Sequence, residues 1–292
     1  MRLLDSVALA RLRSLRLELR RLAAEGPAAG RHRGLLKGSS RDFTQHRPYA
    51  PGDELKSLDW KAYARQDRYS VREYAAESVL TTHVLLDASG SMAYCEGGRP
   101  PKFELACRLA LALSYLVLCG GDAVGLSVFA AQPGPSLPPR SSLSQLEAMD
   151  ELLSGLSAGG ETDLGRALKR AAASIKRRCL VVLISDLLGE PEGVLRAARA
   201  LRARRHELLV LQVLDPCERD FDYEGLSSFE DMERADGLAC DPAQLRGAYA
   251  EEFERLLRFY EGGFHRCGIA YGAFFTGARW EVDLVRFLER WR

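Results

Sequence analysis

The stretch His83-Val84-Leu85-Leu86-Asp87-Ala88-Ser89-Gly90-Ser91-Met92 decides how this chain is read. A short apolar strand, expected over His83–Leu86, runs into a carboxylate, and hydroxyls follow at alternate positions. In open α/β sheets ligands bind outside the carboxyl ends of the strands, where this loop must lie. On its own, an Asp-x-Ser-x-Ser loop is explained by helix capping and turn formation, because short oxygen side chains bond neighbouring backbone amides.

Two further loops change that balance. Gly159-Gly160-Glu161-Thr162-Asp163 sets a threonine just before a helix, and Leu183-Ile184-Ser185-Asp186 ends a second apolar strand in a carboxylate. Asp87, Ser89, Ser91, Thr162 and Asp186 then form an all-oxygen set, with Glu161 as a possible additional acid. Such a set suits a hard cation, Mg²⁺ above all or else Mn²⁺ or Ca²⁺, and suits Zn²⁺ poorly. Mg²⁺ takes about six ligands, so the five groups would leave a position open to solvent and to a partner's Glu or Asp.

Outward from this loop, apolar strands alternate with helical stretches, the pattern of a mainly parallel sheet covered on both faces. Strands are expected over His83–Leu86, Ala123–Phe129, Cys179–Ser185, Leu208–Leu214 and Ile269–Phe275. Helices are expected over Lys102–Cys119, Ser142–Ser154, Leu164–Lys176, Pro191–Arg204, Pro242–Arg266 and Trp280–Trp291. Lys102–Cys119 is apolar nearly all round and reads as buried. Pro133–Pro139, with four prolines in seven residues, is loop or sheet edge. Two short runs about Asp236-Gly237 read as a hairpin. Before residue 81 the texture differs: an Arg-rich amphipathic helix within 1–29, then a β-rich segment over 30–80 with strand character near Tyr69–Tyr74. The division is therefore 1–29, 30–80 and 81–292.

Composition removes several classes of function. The 292 residues are 47% hydrophobic and 28% charged, ordinary for a folded domain. The longest apolar run, Leu109–Cys119, is too short to span a bilayer. Charges within the first residues (Asp5, Arg11, Arg13) break any secretory apolar core, and a cytoplasmic location is expected. Seven cysteines without a Cys-x-x-Cys pair fit free thiols rather than a disulfide framework or zinc site. Net charge is +1, with a local +7 over residues 1–41 and −6 over 218–236. No aromatic-interleaved basic pattern accompanies the former, so no nucleic-acid partner is expected.

The oxygen set resembles the metal-ion-dependent adhesion site of von Willebrand factor A domains, which combines a first-strand Asp-x-Ser-x-Ser, a later threonine and a strand-end aspartate. Asp87, Ser89, Ser91, Thr162 and Asp186 match it position by position. Arg47-Pro48-Tyr49-x-Pro51-Gly52-Asp53, Leu58-Asp59-Trp60-x-x-Tyr63-Ala64-Arg65 and Val71-Arg72-Glu73-Tyr74 narrow the likeness further. They resemble the bacterial domain-of-unknown-function family 58, DUF58, from about Gly34 to the C-terminus. The resemblance implies an α/β, von Willebrand factor A-like (Rossmann-type) fold and a Mg²⁺-dependent protein-binding module, not an enzyme. It also implies a partner among AAA+ ATPases of the MoxR type, with an adaptor or chaperone-like role. The motifs before residue 81 read as structural, with Pro51-Gly52 a turn and Trp60 and Tyr63 packing on the sheet.

Asp87 at a strand end also resembles the nucleophile of Mg²⁺-dependent phosphohydrolases of haloacid-dehalogenase type. That chemistry needs a general acid two residues later, where Ser89 stands. Phosphate-binding, hydrolase and metalloprotease motifs are missing from the sequence, and His32, His46, His83, His206 and His265 share no motif.

Overall fold

In a computed structural model the described residues are 3, 43–48, 63, 69–74 and 81–291, apart from 131, 162, 176–177, 224, 226, 231 and 234–236. The expected N-terminal helix and Thr162 lie outside them. In the early part of the chain, β1 (Phe43–Pro48) pairs antiparallel with β2 (Ser70–Tyr74), and the Tyr63 ring stacks on Tyr69 at 4.5 Å between centroids.

From residue 81 the chain alternates strand and helix. The strands are β3 (Thr81–Asp87), β4 (Ala123–Phe129), β5 (Pro133–Arg140), β6 (Leu180–Ser185) and β7 (Glu207–Leu214), followed by the small hairpin β8 (Ser227–Glu230) and β9 (Gly237–Cys240), then β10 (Ala270–Phe275). The helices are α1 (Lys102–Cys119), α2 (Ser144–Ser154), α3 (Leu164–Ser174), α4 (Pro191–Ala203), α5 (Pro216–Asp220), α6 (Pro242–Arg266) and α7 (Trp280–Arg290). The expected helix starting at Ser142 begins two residues later. There the Ser142 hydroxyl bonds the Ser144 hydroxyl and amide, holding a turn before the helix. The helix expected to reach Lys176 stops at Ser174, because Ile175 turns extended to bury its side chain.

Six strands form one sheet in the order β10-β7-β6-β3-β4-β5, with every neighbour parallel except β5, which returns antiparallel to β4. Side chains alternate across a strand, and the sequence uses both parities. Val84, Leu86, Val182 and Ile184 face a core with α1, α2 and α7, while Leu85, Val181 and Leu183 face a second core with α3, α4 and α6. Burial on both faces is why β6 reads Leu-Val-Val-Leu-Ile-Ser with every residue buried. The proline-rich β5 lies at the edge, where missing N–H donors cost no central ladder bond. The Gln145 amide stitches it to β4, donating to Val124 O (3.0 Å) and Pro138 O (2.9 Å).

Successive strands leave β3 in one direction through β4 and β5, then in the other through β6, β7 and β10. The reversal opens a crevice between the carboxyl ends of β3 and β6, the place where such sheets bind ligands.

Candidate functional site

Asp87 ends β3 and Ser185 ends β6, so Ser185 stands opposite Asp87 and Asp186 follows one residue on, near enough for the two carboxylates to repel. The Asp87 carboxylate accepts from the Ser89 amide (3.0 Å) and from the Ser185 hydroxyl (2.6 Å). The Ser89 and Ser91 hydroxyls lie 3.1 Å apart. The glycine loop is tied to this one: Gly159 N–H donates to Ala88 O and Gly90 N–H to Gly160 O, both at 2.8 Å. Asp163 then caps α3 by accepting from the Arg166 amide at 2.8 Å. Of the five residues singled out in the sequence, Asp87, Ser89, Ser91 and Asp186 are thus brought together, and Thr162 is not among the described residues. Glu161 is exposed.

The turn carrying Asp186 is held by several bonds at once. Leu187 has φ 59°, an uncommon conformation for a leucine. Its N–H donates to Ser185 Oγ (3.0 Å), and its carbonyl accepts from the buried Tyr260 hydroxyl (2.8 Å). The Gln212 amide donates to Asp186 O at 2.8 Å. Surroundings that over-determine such a turn can sustain the ~1–3 kcal/mol that strained backbone costs.

The electrostatics are unbalanced around Asp87. Burial pushes its carboxyl up, the neighbouring charge of Asp186 adds to that, and the bonds from Ser185 and Ser89 only partly oppose it, leaving it at about 6. Two buried carboxylates at one point call for a cation. Among the described residues no three His, Cys, Asp or Glu side chains gather as a metal group. The set here is two carboxylates with the Ser89 and Ser91 hydroxyls. Oxygen donors of this kind fit a hard divalent ion and exclude soft ones.

Sequence reading missed three members of the site. Ser185 joins the two strands' ends. Lys102, the first residue of α1, is fully buried, and its ammonium reaches Asp186 Oδ2 (2.9 Å) and Glu218 Oε1 (2.6 Å). Burial works against the charged lysine, but the two carboxylates outweigh it and its pKa is raised. Glu218 belongs to α5, where its other oxygen accepts from Asp215 N–H (2.8 Å) in a capping box. Lys102 stands at the start of a nearly all-apolar helix, but a charged residue at a helix end is ordinarily solvated, so its position alone did not mark it. For Glu218 there was no signal, because it reaches Lys102 only through the fold.

The four described residues of the set are themselves buried. Asp87, Ser89 and Asp186 are 0% exposed and Ser91 is 8% exposed. Met232 lies over the loop so closely that a Cβ on Gly90 would stand 2.3 Å from its carbonyl oxygen.

A mainly parallel sheet ordered 6-5-4-1-2-3 within this region, an antiparallel third strand at its edge and a polar site at the reversal point define a von Willebrand factor A-like α/β domain. The chain belongs to the family described as "Protein of unknown function DUF58", whose model matches residues 45–256. An uncharacterized protein of Mycobacterium tuberculosis, Rv1480, is 29% identical over 299 aligned residues that cover 97% of this chain and 90% of the relative. A Mycobacterium bovis protein, Mb1516, matches to the same extent. Among solved structures, the conserved hypothetical protein BatB from Bacteroides thetaiotaomicron is similar at 20% identity and TM-score 0.48, covering 73% of this chain and 98% of that one. The SpRpn10 VWA domain is similar at 11% identity and TM-score 0.43, covering 71% and 94%. Among the described residues no helix is long and apolar enough to cross a membrane.

Proposed function

We propose that this protein is a divalent-ion-dependent protein-binding module. Its ion, Mg²⁺ by preference, would be held by Asp87, Ser89, Ser91, Thr162 and Asp186. The observation that carries this reading is the convergence of two buried strand-end carboxylates and two hydroxyls at the reversal point of the sheet, with Asp87 pushed up by burial and by Asp186. When bound, such an ion offers a Lewis-acidic point to an oxygen of a partner. The chain's own residues do the rest: Ser185 and the Ser89 amide orient the Asp87 carboxylate, and the over-determined Leu187 turn fixes Asp186.

The partner we propose is a protein presenting a Glu or Asp, with an AAA+ ATPase of MoxR type as the first to test, in a cytoplasmic adaptor or chaperone-like role. Because Met232 lies over Gly90, the partner's carboxylate has to arrive beside it or displace it. A non-enzymatic role is favoured by the lack of a proton-transfer group at the position two residues after Asp87, where Ser89 stands. No observation supports the haloacid-dehalogenase-type alternative.

The test is capture of a copurifying or genomically adjacent AAA+ ATPase by the full chain in Mg²⁺ and in chelator, with circular dichroism reporting the fold. Binding that weakens by roughly thirty-fold or more in chelator or in Asp87→Ala, with the fold intact, is the expected result. Equal binding in both conditions refutes the ion's role. Turnover of a phosphomonoester that Asp87→Asn abolishes would make the protein an enzyme instead.

A further inference from the structure

The buried amine of Lys102 is out of place by every local rule. It opens α1, where the helix dipole is positive and a cation is least favoured. Its side chain is 0% exposed, and a buried ammonium is tolerated only with close partners. An apolar residue at this fully buried position, beside Phe103 and Leu105, would need less desolvation, so the position is occupied for its charge.

That charge is aimed at the candidate ion site. The ammonium takes Asp186 Oδ2, while the other oxygen of Asp186 accepts from Leu188 N–H at 3.1 Å. Both oxygens of the aspartate are therefore engaged by groups of this chain. Glu218 holds the far side of the ammonium at 2.6 Å, and the Tyr94 ring lies 5.8 Å from it. With all groups ionised, Asp87, Asp186 and Glu218 against Lys102 leave two negative charges, the complement of one divalent ion. Without Lys102 there would be three.

We propose that Lys102 is a built-in competitor of the divalent ion: it shares the Asp186 carboxylate, keeps the site neutralised in part when no ion is bound, and so makes ion binding weak and exchangeable. Resting on the metal reading above, this assigns Lys102 a tuning role and makes Glu218 its counterweight. A lysine held by Glu218 shares its charge between two acids. Loss of Glu218 would throw that charge wholly onto Asp186 and against the ion, whereas loss of Lys102 and Glu218 together would free Asp186 at unchanged net charge.

The experiment is calorimetric titration of the full chain with Mg²⁺ and with Mn²⁺, alongside thermal unfolding, for wild type, Glu218→Gln and the double variant Lys102→Met/Glu218→Gln. The double variant should bind roughly tenfold or more tighter than wild type, and Glu218→Gln several-fold weaker, as expected for like charges a few ångströms apart in a partly screened interior. Each variant's unfolding temperature should rise with ion in the same order as its affinity. Should the double variant fail to fold, Glu218→Gln alone decides, because unchanged or tighter binding there overturns the proposal. Equal affinities in all three proteins overturn the role of Lys102 and leave the metal reading standing. If none of the three binds either ion, both fail.

Discussion

Asp87 and Asp215 hold matching places in the sheet, each at the carboxyl end of a parallel strand and each 0% exposed, yet their surroundings treat them oppositely. Asp215 accepts two bonds from the Arg99 guanidinium (3.1 and 2.8 Å), one from the Thr276 hydroxyl and one from Cys217 N–H (2.9 Å). Burial pushes its carboxyl up, but these bonds outweigh it and hold it below the ordinary carboxylate range. Asp87 receives only a hydroxyl and an amide, sits beside a second carboxylate, and is pushed up to about 6. Burial is therefore common to a structural aspartate and a candidate ligand. The difference lies in whether the chain itself supplies the cation.

That contrast is broken most directly by removing each acid. Asp215→Ala should cost about 3–5 kcal/mol in urea unfolding, since it strands Arg99 and Thr276. Asp87→Asn measured in chelator at neutral pH should cost nothing or stabilise. A loss in Asp87→Asn as large as that in Asp215→Ala would erase the distinction.

The second effect is in pH. For Asp87 the folded value lies above the unfolded one, so its contribution to stability is present at low pH and is lost as pH rises from roughly 4 through about 6. The loss should amount to about 2–3 kcal/mol in chelator, and should vanish in Asp87→Asn. For Asp215 the folded value is lowered, so its contribution is present above the ordinary carboxylate value and is lost as pH falls through the folded one. Saturating Mg²⁺ should flatten the first trend and leave the second untouched. A decline between pH 4 and 6 that persists in Asp87→Asn would assign it elsewhere.

Gly90→Ala probes the cover over the Asp87 loop. A methyl group aimed at Met232 O has to push backbone aside, and a cost of about 1–3 kcal/mol is expected, with Gly247→Ala in α6, where a Cβ meets no atom within 4 Å, as the control. The smallest effect belongs to a pair outside the comparison's buried setting. Arg196 and Glu190 meet at 3.0 Å with side chains 59% and 67% exposed, and Glu190→Ala should change stability by less than about 0.5 kcal/mol. A larger loss would mean that exposure is a poor guide to the worth of a charge in this protein.

Much of this architecture could be read from local pattern. The strands of the large sheet and the span of α1 follow from apolar runs whose lengths and spacing carry their own burial, and the Pro-rich β5 could lie only at an edge. The Asp87 loop and Asp186 were legible because strand-end position is itself a sequence property. Lys102, Glu218 and Ser185 were only partly so, or not at all. Nothing within α1 says that its first side chain turns inward, and Glu218 reaches it across more than a hundred residues of chain. The cover of Gly90 by Met232 likewise depends on where a later hairpin folds back. Periodicity and chain order determined the scaffold and two of its carboxylates, since both act over a few residues. Which charges compensate one another in the interior was decided by tertiary packing alone, because Coulomb energy depends on distance in space and on the loss of water, neither of which is written along the chain.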